Sequence, residues 1–198
     1  MLCENYYIIY KWIKMKSLNE YIKESILDVD DLVADDNLFI EKWLKENCEI
    51  KGTYTIKDGV VNVKGSVKIN SDVETIGVQF GEVTVDFFCY CCPNLTSLKG
   101  TPKEVGRDFN CSRCNSLTTL QGAPERVDGS FDCNRCINLK SLKGAPKEVR
   151  KSFDCSDCVS LTTLEGAPKE VWIWFDCSGC RNLTSLKGAP NCRKMIAN

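Results

Sequence analysis

The chain has 198 residues, of which 43% are hydrophobic and 27% are charged, and its formal net charge is −1. These values are typical of ordered globular proteins and leave enough apolar material for one elongated domain with a core. The chain has no histidine, which removes the commonest general base and every histidine-containing metal site. No basic face is interleaved with stacking aromatics, so the pattern argues against a nucleic-acid partner.

Residues 1–14 do not have the pattern of a membrane span or a secretion signal. The apolar run Tyr6–Tyr10 is too short to cross a bilayer and is not followed by a cleavage signal. We therefore expect no membrane partner. We interpret residues 1–14 as a leader that is either disordered or lies upstream of internal initiation at Met15.

Residues 15–50 are predicted to form an N-terminal helical segment. Ser17 is followed three positions later by Glu20, which is the pattern of a helix N-terminus, and apolar residues at helical spacing follow. A second helical pattern covers residues 30–47, with its apolar residues on one side.

Residues 51–83 are predicted to form a β-hairpin and a capping coil. Apolar and polar residues alternate between Thr53 and Asn70, and Asp58-Gly59 is a typical two-residue hairpin turn. We expect the residues after the hairpin to cover the open end of the structure that follows, since that end would otherwise expose strand edges and core.

Residues 84–190 repeat with a period of 22, and residues 191–198 follow as a C-terminal tail. Each repeat contains the phrase Phe-x-Cys-x-x-Cys-x-x-Leu-x-x-Leu and closes on Gly-Ala-Pro or Gly-Thr-Pro. A period between 20 and 29 with this apolar pattern predicts about five stacked coils. The phrases begin at Phe87, which opens a looser copy, and at Phe109, Phe131, Phe153 and Phe175.

One repeat predicts one short strand with a buried face. In Phe153-Asp154-Cys155 apolar residues flank a polar one, and Val149 completes the inward set. A single unit cannot bury this face, so neighbouring coils must stack with parallel strands about 4.8 Å apart. Twenty-two residues leave no room for a full helix on the outer side, where we expect turns.

The segment from about Val67 to Pro190 resembles leucine-rich repeats of the cysteine-containing class. The fuller phrase Phe-Asp-Cys-Ser…Leu-Thr-Ser-Leu-Lys-Gly-Ala-Pro-Lys-Glu-Val resembles repeats encoded by bacteriophages and large DNA viruses, although many of those have asparagine at the second cysteine. Together with the N-terminal patterns, the resemblance predicts an α+β fold: a leucine-rich-repeat-like solenoid with parallel strands, short N-terminal helices and a β-hairpin cap. The resemblance also implies a viral origin, but no reaction. Because no secretion signal is found, we expect the protein in the cytoplasm of the host cell.

The paired cysteines allow three interpretations. They are small core residues stacked in two columns, or disulfides of a secreted protein, or zinc ligands at C-x₂-C spacing. Their periodicity and the missing secretion signal favour structural thiols, so we expect no cofactor. A zinc site would use Cys111, Cys114, Cys133 and Cys136.

We expect no catalysis. Besides lacking histidine, the chain has no Gly-rich phosphate loop and no nucleophile elbow. A reactive cysteine needs a lowered pKa, and nothing distinguishes one cysteine from its many equivalents.

The expected binding surface is the outward face of the strands, together with aromatic residues in the deviant copies. Aspartates stacked in register repel one another, which favours a basic partner or a cation, although they would also keep the face soluble. Exposed Trp and Tyr are typical interface anchors, but the tryptophans could instead cover the last coil, and an open C-terminal edge would permit a homodimer. The candidate partner-binding residues are Phe88, Tyr90, Asp108, Asn110, Asp132, Asp154, Asp176, Trp172 and Trp174.

Taken together, the sequence predicts a non-enzymatic protein–protein interaction module encoded by a phage or virus. The expected partner is a host protein or defence complex, which binding would inhibit, as an anti-CRISPR-type inhibitor does. The alternatives are a self-assembling virion component and a zinc-binding repeat module.

Overall fold

The computed structural model describes residues 29–197, with side chains from residue 36 onward. The predicted leader and the helix predicted to start at Ser17 lie outside the described residues. The chain divides into two units at residue 39. The first contributes the start of a helix to the described part, and the second contains the whole sheet described below.

Helix α1 (Val29–Asn47) confirms the second helical pattern. Ile40 and Leu44 lie one turn apart on the helix and are both buried in the core. The helix ends at Asn47, whose side-chain amide donates to the carbonyl of Trp43 at 2.9 Å. The side-chain amide of Asn70 donates to the carbonyl of Glu46 at 3.0 Å. This carbonyl is one of the last four, which a helix C-terminus leaves without a partner.

The predicted hairpin is also confirmed. Strand β1 (Cys48–Lys57) pairs antiparallel with β2 (Val60–Ile69) over the full length of both strands. Asp58 and Gly59 form the turn with φ of 52° and 73°. Two positive φ values are what a tight hairpin turn needs to match the twist of its strands.

From β2 onward all pairings are parallel, and neighbouring strands of the repeats differ by 22 residues in register, which confirms the predicted solenoid. Each coil contributes two short strands, and these form two ladders. The valine ladder consists of β3 (Gln79–Val83), β5 (Glu104–Val105), β7 (Arg126–Val127) and β9 (Glu148–Val149). The phenylalanine ladder consists of β4 (Phe87–Phe88), β6 (Phe109–Asn110), β8 (Phe131–Asp132) and β10 (Phe153–Asp154).

The two ladders merge at the C-terminal end. In the earlier coils a bend of three residues separates the two short strands, and in two coils it contains a glycine, as in Asp128-Gly129-Ser130. The next strand, β11 (Glu170–Asp176), has Trp172-Ile173-Trp174 at this place and runs without a break. Aromatic and β-branched residues favour extended backbone, whereas glycine weakens it.

Stacked phenylalanines form the centre of the core. The rings of Phe109, Phe131 and Phe153 are nearly parallel, with centroids 5.1 Å and 4.9 Å apart. Phe87 and Phe175 continue the stack at its two ends, and all five side chains are fully buried. A fixed 22-residue period therefore places each large side chain directly on its equivalent in the next coil.

Turns rather than helices connect the strands on the outer side of the described coils, as expected from the length of the repeat. At the start of each Gly-Ala-Pro turn the glycine has a positive φ, for example 88° at Gly166. A Cβ atom on Gly166 would lie 2.6 Å from the Cα of Lys143 in the preceding coil. Glycine is thus required here both by its φ and by the close approach of two coils.

The C-terminal tail contains a strand that the sequence pattern did not predict. Strand β12 (Asn191–Ile196) pairs in parallel with β11, so the edge of the last full repeat is covered. Met195 takes the position of the stacked phenylalanines and Ile196 takes the position of the aspartates. Among the described residues, no helix combines the length and the apolar character needed to cross a bilayer.

Candidate functional site

The predicted column of aspartates exists, but its carboxylates are bound to backbone. Asp132, Asp154 and Asp176 lie in register on neighbouring strands. The Oδ1 of each accepts a hydrogen bond from the N–H two residues later, at 2.9, 2.8 and 2.8 Å. Asn110 makes the same bond at 2.8 Å. These side chains satisfy N–H groups where each strand ends, a structural role that explains their repetition.

Asp108 also bonds to the backbone, in this case between coils. Its Oδ1 accepts the N–H of Ser130 in the following coil at 2.8 Å. Its own N–H donates to Oδ1 of Asp86 in the preceding coil at 3.2 Å. Ser112 and Ser152 are buried, although the alternation of apolar and polar residues along the strands places them on the outward face. The polar face is therefore largely occupied by internal contacts.

In the middle of this column, the charged form of the Asp132 carboxyl is destabilised. The pKa of Asp132 is raised from its ordinary 3.8 to about 6, chiefly by burial and also by the neighbouring Asp154 carboxylate. Hydrogen bonds from the Asn134 N–H and the Asn110 side chain act in the opposite direction. The aspartates thus carry an electrostatic cost inside the fold.

The paired cysteines form two buried columns, as the thiol interpretation predicts. From Cys114 onward, the second thiol of each pair donates to the carbonyl of the first cysteine in the preceding coil. Cys136 Sγ lies 3.2 Å from the oxygen of Cys111, and Cys158 Sγ lies 3.2 Å from that of Cys133. Every cysteine in the described part of the chain is a free thiol. Each pair thus links adjacent coils by a thiol–carbonyl bond.

Three thiols in the column formed by the first cysteine of each pair are poorly suited to nucleophilic chemistry. Burial raises the pKa values of Cys111 and Cys133 well above their ordinary value, and the bonded thiol of the next coil raises them further. Burial also raises the pKa of Cys177 to about 11. Because the thiolate is the reactive form, these groups are inert at neutral pH. Within residues 29–197, no three Cys, Asp or Glu side chains are arranged to hold a metal ion.

The first aromatic cluster lies at the N-terminal end of the phenylalanine ladder. Phe88 is half-buried and Tyr90 is exposed, and their rings meet edge to face at 6.1 Å. Lys68, which pairs with Phe88 in the adjacent strand, places its Nζ 5.5 Å from the centre of the Tyr90 ring. Contacts within this cluster thus engage both rings.

The second aromatic cluster, which we call the tryptophan edge, consists of Trp172, Ile173 and Trp174. Between Val171 and Trp174 the pairing of β11 with β12 shifts, so that two β11 residues face one residue of β12. Such a bulge redirects side chains. Trp172 is 51% exposed and Ile173 is 44% exposed, whereas Trp174 is half-buried.

Charged side chains flank the tryptophan edge. The guanidinium of Arg150 lies 5.6 Å from the Trp172 ring and also forms ion pairs with Asp128 and Glu148. A cavity of about 320 Å³ lies beside the ring, lined by Trp172, Arg193 and neighbouring residues of β11 and β12. The edge therefore combines an exposed apolar surface with cations.

The two aromatic clusters are not brought together. Four strand spacings separate β4 from β11, which corresponds to about 19 Å. Lys68 and Arg150 were missed because their roles depend on contacts with aromatic rings, which no spacing in the sequence indicates. Ile173 was missed as well. A comparison of the copies gives a signal for Ile173, since the other repeats have Arg107, Gly129 or Lys151 at that position.

A further column was missed in the Cys-x-x-Cys segments. The residue before the second cysteine has a left-handed backbone in every coil: φ is 57° at Arg113, 55° at Arg135 and 56° at Asp157. Gly179 occupies this position in the last copy, and a glycine there is the one sequence signal of positive φ.

Comparison of the chain with protein-family models, with curated proteins and with solved structures finds no match.

Proposed function

We propose that this chain is a non-enzymatic interaction module that binds a partner protein through the tryptophan edge. The observation that supports this most directly is the exposure of Trp172 and Ile173, side by side on a bulged strand. Tryptophan is among the residues most enriched at the energetic centre of protein interfaces. Neighbouring exposed apolar side chains are also more informative than single ones.

The scaffold favours binding with little loss of entropy. The tryptophan edge belongs to a strand with paired neighbours on both sides, and Phe175 of the same strand is fully buried in the stack. A contact surface held rigid before binding avoids part of the ordering cost of association. Arg150, held by two carboxylates, adds a positioned cation beside the Trp172 ring.

The class of partner is proposed from the resemblance of the repeats. We assign the coils to the cysteine-containing leucine-rich repeats and, within these, to the type found in bacteriophages and large DNA viruses. The partner is then a protein of the infected host, met in its cytoplasm. The proposed consequence of binding is inhibition of that host protein or defence complex.

The first test is an affinity pull-down from host lysate with the wild-type chain and two variants. Trp172→Ala/Ile173→Ser removes the exposed apolar part of the edge, and Trp172→Ala/Trp174→Ala removes both tryptophans. Ile137→Ala is the matched control, because Ile137 is 42% exposed on another coil. We expect a host protein retained by the wild type and by Ile137→Ala and lost from both edge variants.

The second step uses the purified partner in a titration. Loss of one interface hot spot lowers the binding free energy by about 2 kcal/mol or more, which raises the dissociation constant at least about 30-fold. Equal retention by the wild type and both edge variants, with unchanged melting temperatures, would exclude the tryptophan edge as the binding surface.

A further inference from the structure

The C-terminal end of the solenoid exposes residues that are buried in every earlier coil. Leu142 and Leu164, which occupy equivalent positions in two earlier repeats, are both 0% exposed. Leu186 has the same position in the last repeat and is 46% exposed, and Leu183 beside it is only partly buried. Strand β12 covers the sheet side of this coil but leaves its leucine side open.

The uncovered leucines border a second cavity. It has a volume of about 280 Å³ and is lined by Leu183, Leu186, Cys180, Arg181 and neighbouring residues. In the interior coils the equivalent space is filled by the next repeat. The end surface, defined as Leu183 and Leu186 with Arg181, Lys187, Arg193 and Lys194, is therefore shaped to accept another segment of chain.

The charge of this end differs from that of the preceding coil. Residues 177–198 contain four cations, all of them in the end surface, and no acidic residue. Residues 155–176 contain Asp157, Glu165, Glu170 and Asp176 against Lys169. All four cations of the end surface are exposed. Such a concentration of one sign favours an acidic occupant.

The backbone at this end also offers hydrogen bonds. Among the described strands, β12 pairs with β11 alone, so its outer edge presents free N–H and C=O groups. Antiparallel pairing of β12 with the same strand of a second copy would bring Arg193 and Lys194 close to their equivalents. Like charges opposite each other destabilise a strand pair, and lysine on an edge strand is a known protection against self-pairing.

We propose that the end surface binds an acidic segment of a partner protein in an extended conformation. The segment adds a strand to the outer edge of β12, its carboxylates lie near the exposed cations of the end surface, and its apolar side chains cover Leu183 and Leu186. Strand addition of this kind takes affinity from backbone hydrogen bonds and specificity from alternate side chains. The inference rests on the proposed protein-binding function and names the chemistry of the partner at a second surface.

The test measures binding of a fluorescent twelve-residue peptide of alternating glutamate and valine by anisotropy. A peptide of alternating lysine and valine is the charge control. We expect saturable binding of the glutamate peptide that weakens as salt increases, because the exposed charges are screened, and no binding of the lysine peptide.

Two variants examine the two parts of the end surface separately. Arg193→Glu/Lys194→Glu reverses the charge, and Leu186→Ser removes the apolar contact; each is expected to weaken binding at least about tenfold. Lys99→Glu/Lys103→Glu makes the same change of charge at two exposed residues of the first repeat and is expected to leave binding unchanged.

Three results would overturn the proposal: no binding of the glutamate peptide, equal binding of both peptides, or unchanged affinity in the Arg193→Glu/Lys194→Glu variant. A discrete oligomer of the chain alone in light scattering, lost in the same variant, would also overturn it, because a second copy would then be the occupant. The titration of the Leu186→Ser variant does not involve the tryptophan edge, so a failed pull-down and a failed titration are distinguishable.

Discussion

The interior coils and the last coil have nearly the same sequence but different surroundings. Leu139 and Leu142 are fully buried, whereas Leu183 and Leu186, at the same positions of the repeat, are uncovered to different extents. The leucines, the glycine turn and the thiol pair are alike, but among the described residues a further repeat packs on the interior coils and not on the last one. The comparison shows that the neighbouring coil, rather than the repeat itself, provides burial, as expected for a structure stabilised by nearest-neighbour contacts.

The largest expected effect is on the leucine column. Leu142→Ala is expected to lower the free energy of unfolding by about 2–5 kcal/mol, because it leaves a cavity in a packed core. Leu186→Ala should cost less than about 1 kcal/mol, since nearly half of this side chain is already in contact with water. Urea unfolding followed by circular dichroism measures both. Equal losses would show that the end leucine is buried in solution by another segment or copy.

A smaller effect is expected at the glycines of the turns. A Cβ atom on Gly144 would lie 2.5 Å from the Cα of Gln121, whereas the nearest atom to one on Gly188 is the oxygen of Leu164 at 3.2 Å. Both glycines have φ of 90°, so alanine costs about 1–2 kcal/mol at either position from the left-handed backbone alone.

At Gly144 the steric conflict adds to this cost. Gly144→Ala is therefore expected to lower stability by more than about 2 kcal/mol, and Gly188→Ala by about half as much. Thermal unfolding of the two variants side by side provides the measurement. A larger loss at Gly188 would contradict the idea that contact between coils sets the difference.

The smallest effect concerns the charged column. Asp132 lies between Asn110 and Asp154 in the interior, and its raised pKa means that the folded protein binds a proton more tightly than the unfolded chain. The contribution of Asp132 to stability is thus complete below about pH 4 and is lost as the pH rises through about 6.

Asp154→Asn tests whether the Asp154 carboxylate contributes to the raised pKa of Asp132. The asparagine keeps an acceptor for the N–H of Ser156, as Asn110 does for Ser112, but removes the charge beside Asp132. We expect the pKa of Asp132 to fall toward 3.8 and stability at pH 7 to rise slightly. Carboxyl chemical shifts in an NMR titration report the pKa, and an unchanged value would exclude Asp154 as a contributor.

Much of the fold follows from the repeat pattern. The 22-residue period predicts the register of the strands, and the apolar positions predict which side chains are buried, as the stack from Phe87 to Phe175 shows. The hairpin at Asp58-Gly59 is predictable for a local reason, because two residues with positive φ are a strong signal by themselves.

The candidate site was less predictable. Alternation along the strands placed Asp132, Asp154 and Asp176 correctly on one face, but it could not indicate that each carboxylate accepts a backbone N–H two residues later. A turn of this kind depends on backbone angles that no pattern of apolar and polar residues specifies. The bulge that exposes Ile173 depends in the same way on the register between β11 and β12.

The sequence by itself determined the period, the inward residues and the stacking of equivalent side chains, because a regular repeat leaves one way to bury its apolar face. Only the tertiary structure decided that residues 191–196 form a further strand and that Trp172 and Leu186 are exposed. These outcomes depend on whether another segment covers a given coil. Whether a coil is covered depends on its neighbours in the fold, and the residue pattern within one repeat does not indicate them.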